Sequence, residues 1–120
     1  MATSRSTEPA QYIAGASIFS GRPDPTWPIE ANVAENLLAL WESLPTYSGP
    51  VQSAPALGYR GCYLRDPKEC EWFSYQAVVT MEMNGKIVQR RDHDRRFERM
   101  LLTSAPPDAI PAQIFDAIFE

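Results

Sequence analysis

Histidine and cysteine are nearly absent from this chain, and their scarcity removes whole classes of chemistry. Of 120 residues, one is histidine and two are cysteine. His93, Cys62 and Cys70 cannot supply the ligand count of a zinc or iron site, so no metal and no cofactor is expected. No Cys–His or Ser–His spacing pairs a nucleophile with a base, and no catalytic residue is assigned. Two cysteines make no disulfide framework, and both thiols are expected to be reduced. Long apolar runs are missing as well. Nothing approaches the roughly 20 residues that span a bilayer, and Met1 to Ala10 is polar where a signal peptide would be apolar. No membrane partner is expected, and the compartment indicated is the cytoplasm. A basic excess is missing too. The net charge of −4 argues against a nucleic-acid partner, which needs a cationic field to displace phosphate counterions.

Proline, by contrast, is plentiful. Of eleven residues, nine crowd into 23–28, 45–55 and 106–111, which points to stiff connections between elements. Residues 1–10 read as a loose terminus and 11–120 as one domain, large enough for a core and too small for two.

The strongest local signal is the alternation from Trp72 to Met83. Phe73, Tyr75, Ala77, Val79, Met81 and Met83 fall on one side of an extended chain, the side predicted to be buried under a helix. Asn84-Gly85 then turns the chain into a hairpin, with Lys86 onward as the return strand. Ser74, Gln76, Thr80, Glu82 and Gln89 fall on the opposite side, a candidate binding face. Upstream, Gln11 to Phe19 reads as a first strand and Ala56 to Leu64 as another, turning at Asp66-Pro67 to pair with the 72–83 strand. Ser20 to Ile29 holds three prolines and reads as a polyproline-like surface loop carrying Arg22 and Trp27. Between Glu30 and Leu44 an apolar stripe of Val33, Leu37, Leu40, Trp41 and Leu44 predicts a helix that Pro45 stops. Two short helices close the chain. One opens at Asp92 and buries Phe97, Met100 and Leu101; the other starts near Pro111 and carries Ile114, Phe115, Ile118 and Phe119. The fold class is therefore α+β: a small, mostly antiparallel sheet of about four strands, helices on one face, in the order β-α-β-β-β-α-α.

Candidate site residues divide into weak and stronger sets. His93 sits between Asp92 and Asp94, yet sequence neighbours do not face one another, so a solvated helix start with ion pairs is the simpler reading. The arginines from Arg90 to Arg99 are interleaved with Asp92, Asp94 and Glu98, which neutralise most of them. Arg60 is different. It lies between Gly58 and Gly61, where the backbone is open to an approaching chain, or where Arg60 pairs with a carboxylate of the proline loop.

Phe19-Ser20-Gly21-Arg22-Pro23-Asp24-Pro25-Thr26-Trp27, with Leu57-Gly58-Tyr59-Arg60-Gly61 and the Arg-Asp to Leu-Leu stretch at Asp92 to Leu102, resembles a family of small bacterial proteins. The chain is also similar to small accessory proteins of ribosomally made peptide natural-product pathways of the crocagin type. That resemblance implies binding of a precursor peptide without transforming it. A non-catalytic peptide-binding accessory protein is thus the expected function, with the peptide added along a sheet edge. Arg22, Trp27, Tyr59, Arg60 and Trp72 are the expected peptide-binding residues. Two alternatives stay open: a small acid–base enzyme, a cyclase or isomerase using His93, and a structural subunit that dimerises through a strand edge or the last helix.

Overall fold

Two tight turns build the centre of the molecule. Asn84-Gly85 has φ of 52° and 80°, meeting the demand of a type I′ turn for positive φ at both central residues. It joins β5 (Val78–Met83) to β6 (Lys86–Arg91), as its sequence predicts. The second turn, Gln76-Ala77, has φ of 51° and 66° and joins β4 (Glu71–Tyr75) to β5. Neither residue favours that conformation, and the single strand expected over residues 72–83 is two strands. The structure is a computed structural model and describes residues 11–18, 23–50, 59–68 and 70–119.

With β1 (Tyr12–Ala16), β2 (Thr26–Ile29) and β3 (Cys62–Arg65), the described residues form one six-stranded sheet in the order β2-β1-β3-β4-β5-β6. Every neighbouring pair is antiparallel. The helices are α1 (Ala31–Ser43), α2 (Arg96–Thr103) and α3 (Ala112–Ile118), with a 3₁₀ turn at His93–Arg95 before α2. The α+β class and the antiparallel sheet hold. The strand count of four and the order β-α-β-β-β-α-α are corrected to six and β-β-α-β-β-β-β-α-α.

The extra turn also reverses which residues are buried. Across a two-residue loop Tyr75 pairs with Val78 and Ser74 with Val79, so odd-numbered residues of β4 share a face with even-numbered residues of β5. Trp72, Ser74 and Val79 therefore face the core, and Phe73 and Tyr75 face away from it. The floor beneath the helices is Ala14, Ala16, Trp27, Ile29, Cys62, Leu64, Trp72 and Val79, all buried. On the open face aromatic rings lie across glycines. A Cβ on Gly15 would overlap the Tyr63 ring, and one on Gly61 (φ 110°) would stand 2.5 Å from Phe73 Cζ, so glycine lets both rings lie against the backbone.

The proline segment is corrected as well. Its last residues form β2, where Trp27 and Ile29 are each 2 % exposed and Trp27 Nε1 donates to Ser104 Oγ at 3.0 Å. Ala16 N–H bonds the Pro25 carbonyl, so residues 25, 27 and 29 face β1 while Thr26 and Pro28 face outward. Pro28 thus sits where its missing N–H removes no ladder bond, as edge strands allow. Helix α1 follows its predicted bounds closely. Its stripe buries Ala34, Leu37, Leu40 and Trp41, and each large apolar side chain among them contributes about 1.5–3 kcal/mol. Beyond Pro45, Tyr47 N–H donates to the Gln89 carbonyl at 3.0 Å and Arg91 N–H to the Pro45 carbonyl at 2.8 Å, covering that half of the β6 edge. No helix among the described residues is long and apolar enough to cross a membrane.

Candidate functional site

Beside α2 the molecule buries an unusual amount of polarity for its size. Ser74, Asp92 and Glu98 are fully buried and lie among apolar neighbours. Glu98 stands on the stripe of α2 that carries Phe97, Leu101 and Leu102, a position whose period calls for an apolar side chain. Two partners meet its carboxylate. Tyr59, just before β3, donates its hydroxyl to Oε2, and Arg95 donates Nε to Oε1 at 2.7 Å. Arg95 also donates Nη1 to the Ile118 carbonyl at 2.7 Å, and its guanidinium lies 4.8 Å from the centre of the Phe119 ring. The cation is therefore fixed between α2 and α3.

Asp92 has a separate duty. Its carboxylate accepts the Phe97 N–H at 2.9 Å and the Glu98 N–H at 3.2 Å, two amides that the first turn of α2 leaves without helical partners. The helix expected to open at Asp92 begins four residues later. Asp94 and Arg95 adopt left-handed backbone, with φ of 60° and 54°, which swings Arg95 beneath Glu98 while Asp92 caps from upstream. Left-handed backbone at a non-glycine residue costs about 1–3 kcal/mol and persists where surrounding contacts over-determine it.

Burial dominates the electrostatics. It pushes the Tyr59 phenol far above its ordinary range, and the adjacent Cys62 sulfur and Glu98 carboxylate add to that rise. It raises the Cys62 thiol likewise, with Glu98 next in effect. Both groups keep their protons at neutral pH. The hydrogen bond that Arg95 donates to Glu98 raises its guanidinium further, so the ion pair has a firm cation. Among these groups the net charge is close to zero.

Above this cluster lies a cleft of about 520 Å³. Tyr59 and Arg95 reach it from the floor. Ile18, Ile114, Ala117 and Ile118 give apolar wall, while Gln76 from the β4–β5 turn and Gln113 from α3 bring carboxamides. Tyr75 separates this cleft from a second depression of about 340 Å³ on the open sheet face, lined by Phe73, Thr80, Glu82 and Gln89 among others. The rings of Tyr59 and Tyr75 stand 6.5 Å apart at 47°. Apolar walls with a few convergent polar groups suit a ligand that has both characters.

The residues expected from sequence scatter. Tyr59 lies in the cleft. Trp27 and Trp72 belong to the core, at 2 % and 5 % exposure, and neither presents its ring at the surface. Arg60 stands 3.7 Å from Asp24, whose Oδ1 also accepts the Ile18 N–H at 3.1 Å; this ties the proline segment to the start of β3. Arg22 lies outside the described residues. His93 and Asp94 are exposed, Asp92 turns to backbone amides, and the three residues do not converge on either cleft. Of the candidate face, Thr80, Glu82 and Gln89 line the open depression, whereas Ser74 points into the core. Gln76, also of the candidate face, lines the cleft instead, and sequence reasoning missed Arg95, Glu98 and Gln113. Only Glu98 carried a signal, a carboxylate on an apolar helical stripe. Among the described residues no three histidine, cysteine or acidic side chains come together to hold a metal ion. No family model, curated protein or solved structure matches the chain, and function is argued from the geometry of this cleft.

Proposed function

We propose that the chain is a non-catalytic peptide-binding accessory protein, working in the cytoplasm, whose ligand occupies the cleft between Tyr59, Arg95 and α3. One observation supports this reading above the others: a cleft with apolar walls whose polar groups are two carboxamides, a phenol and an already neutralised guanidinium. Main-chain amides are neutral and carry a donor beside an acceptor, and a glutamine carboxamide offers the matching pair. Arg95 Nη2 makes no hydrogen bond among the described residues and can serve a peptide carbonyl. A precursor peptide of a ribosomal natural-product pathway is a ligand of this chemistry.

Addition along a sheet edge is the less favourable mode. The outer edge of β2 presents Pro28, which has no N–H to give. The outer edge of β6 is paired at Gln89 and Arg91 with the Pro45–Tyr47 segment, leaving Ile87. Panning a phage-displayed library of random dodecapeptides against the full chain separates the modes. Selected peptides are expected to lose about tenfold or more in affinity on Ala117→Trp, which fills the cleft from an exposed wall, and to keep it on Ile87→Pro, which blocks the remaining edge. Loss on Ile87→Pro with binding intact on Ala117→Trp overturns the cleft assignment. A library that yields no binder overturns the function.

A further inference from the structure

A second groove, on the helical side of the molecule, has a different chemistry. It measures about 570 Å³ and runs between α1 and α2. Val33 and Asn36 contribute from α1, and Arg96, Arg99, Met100 and Thr103 from α2. Those α2 positions are i, i+3, i+4 and i+7, one stripe of two turns along the groove, with Val33 and Met100 half-buried against the core at its base. Val33 and Met100 give its apolar part, two arginines line it, and among the described residues no carboxylate does.

The arginines break a local rule. A helix carries partial positive charge at its start, where acidic side chains stabilise and basic ones do not. Arg96 is nevertheless the first residue of α2, and Arg99 lies within its first turn. Glu98 is engaged by Arg95, and Asp92 by the backbone amides. Neither Arg96 nor Arg99 forms an ion pair among the described residues. The Arg99 guanidinium lies 4.3 Å from the centre of the Phe119 ring; stacking fixes its plane and leaves its edge donors available. Two unneutralised arginines where folding disfavours them, in a chain of net charge −4, mark a place where stability was given up for something else.

We propose that this groove docks an acidic amphipathic helix of a partner protein. Apolar side chains of that helix at helical spacing seat on Val33 and Met100, and its carboxylates meet Arg96 and Arg99. Charge complementarity selects the occupant, since a neutral or basic helix would leave both guanidiniums desolvated and unpaired. This site does not depend on the Tyr59 cleft and stands if that reading falls.

The test is an amide-shift titration of the full, isotope-labelled chain with two synthetic peptides of roughly fourteen residues, four helical turns. Both carry leucines at i, i+3, i+4 and i+7; one has glutamates on its flanks and the other glutamines. The glutamate peptide is expected to shift Val33, Asn36, Met100 and Thr103 and to weaken about tenfold on Arg96→Glu or in high salt. The glutamine peptide is expected to bind at least about tenfold more weakly than the glutamate peptide. Arg96→Glu places an acid at the start of a helix, so its melting temperature should hold or rise, which separates lost binding from lost fold. Equal binding of the two peptides, no shift at millimolar concentration, or shifts at Gln113 and Ala117 instead overturns the proposal. So does sedimentation showing a dimer that Arg96→Glu dissolves, because the occupant is then a second copy of this chain.

Discussion

Burying a carboxylate costs several kcal/mol unless a cation and hydrogen-bond donors meet it. Glu98 meets both in Arg95 and Tyr59, and Asp92 meets donors alone. That difference has a consequence for pH. Burial raises the Asp92 carboxyl above the ordinary range, and the amides of Phe97 and Glu98 only partly offset the rise. A carboxyl raised by folding holds its proton longer in the native state than in the unfolded chain. Its contribution to stability is therefore fully present below the ordinary carboxyl pKa, near about pH 4, and falls as pH climbs through the raised value. Asn cannot ionise, so Asp92→Asn removes this slope. The advantage of the native chain over Asp92→Asn, read from urea unfolding, should shrink between about pH 4 and neutrality. An advantage that grows with pH would show that the amide bonds outweigh burial at Asp92. Neither residue was legible as buried, because an Arg–Asp run reads as a solvated helix start until α2 is packed onto β3.

At the scale of elements, legibility followed turn chemistry. Asn84-Gly85 announces its hairpin, because asparagine and glycine tolerate positive φ. Helix α1 announces itself by an apolar stripe and a terminating proline. Gln76-Ala77 announces nothing: neither residue signals a turn, and the apolar alternation runs unbroken through it. The parity switch across that turn is what moved Phe73 and Tyr75 to the open face and Trp72 to the core. Tertiary pairing of β4 and β5 holds both residues in a conformation they resist. Ala77→Gly relieves that resistance, since glycine adopts positive φ without steric cost. It should stabilise the chain by about 0.5–1 kcal/mol, allowing for the added freedom of the unfolded state. Thermal melts of the two proteins decide it. A destabilised glycine variant would mean that the Ala77 methyl packs more usefully than its backbone is strained.

The whole molecule divides into a sheet under two helices and a third helix held more lightly. Leu37, Leu64, Phe97 and Leu101 are fully buried at the junction of the sheet with α1 and α2. In α3 only Ile118 is buried; Ile114 and Phe115 stay half-exposed. What fastens α3 is polar and aromatic: the bond from Arg95 to the Ile118 carbonyl, the arginines 95 and 99 over the Phe119 ring, and the Phe115–Phe119 pair 5.3 Å apart. Since α3 forms one wall of the cleft, its attachment governs access to Tyr59 and Arg95. None of this was legible in the sequence, where the partners are as far apart as Arg95 and Ile118 or Tyr59 and Glu98. Elements that admit ligands are drawn from the least stable parts of a fold. Amide exchange in the native state should therefore show α3 opening at lower free energy than β3 and β5. Phe119→Ala removes both arginine contacts and the aromatic pair, each worth about 0.5–1 kcal/mol. It should lower the protection of α3 by about 1.5–3 kcal/mol while the amides of Leu64 and Val79 keep theirs. If the sheet loses protection in step with α3, the last helix belongs to the global folding unit, and the cleft opens only when the molecule unfolds.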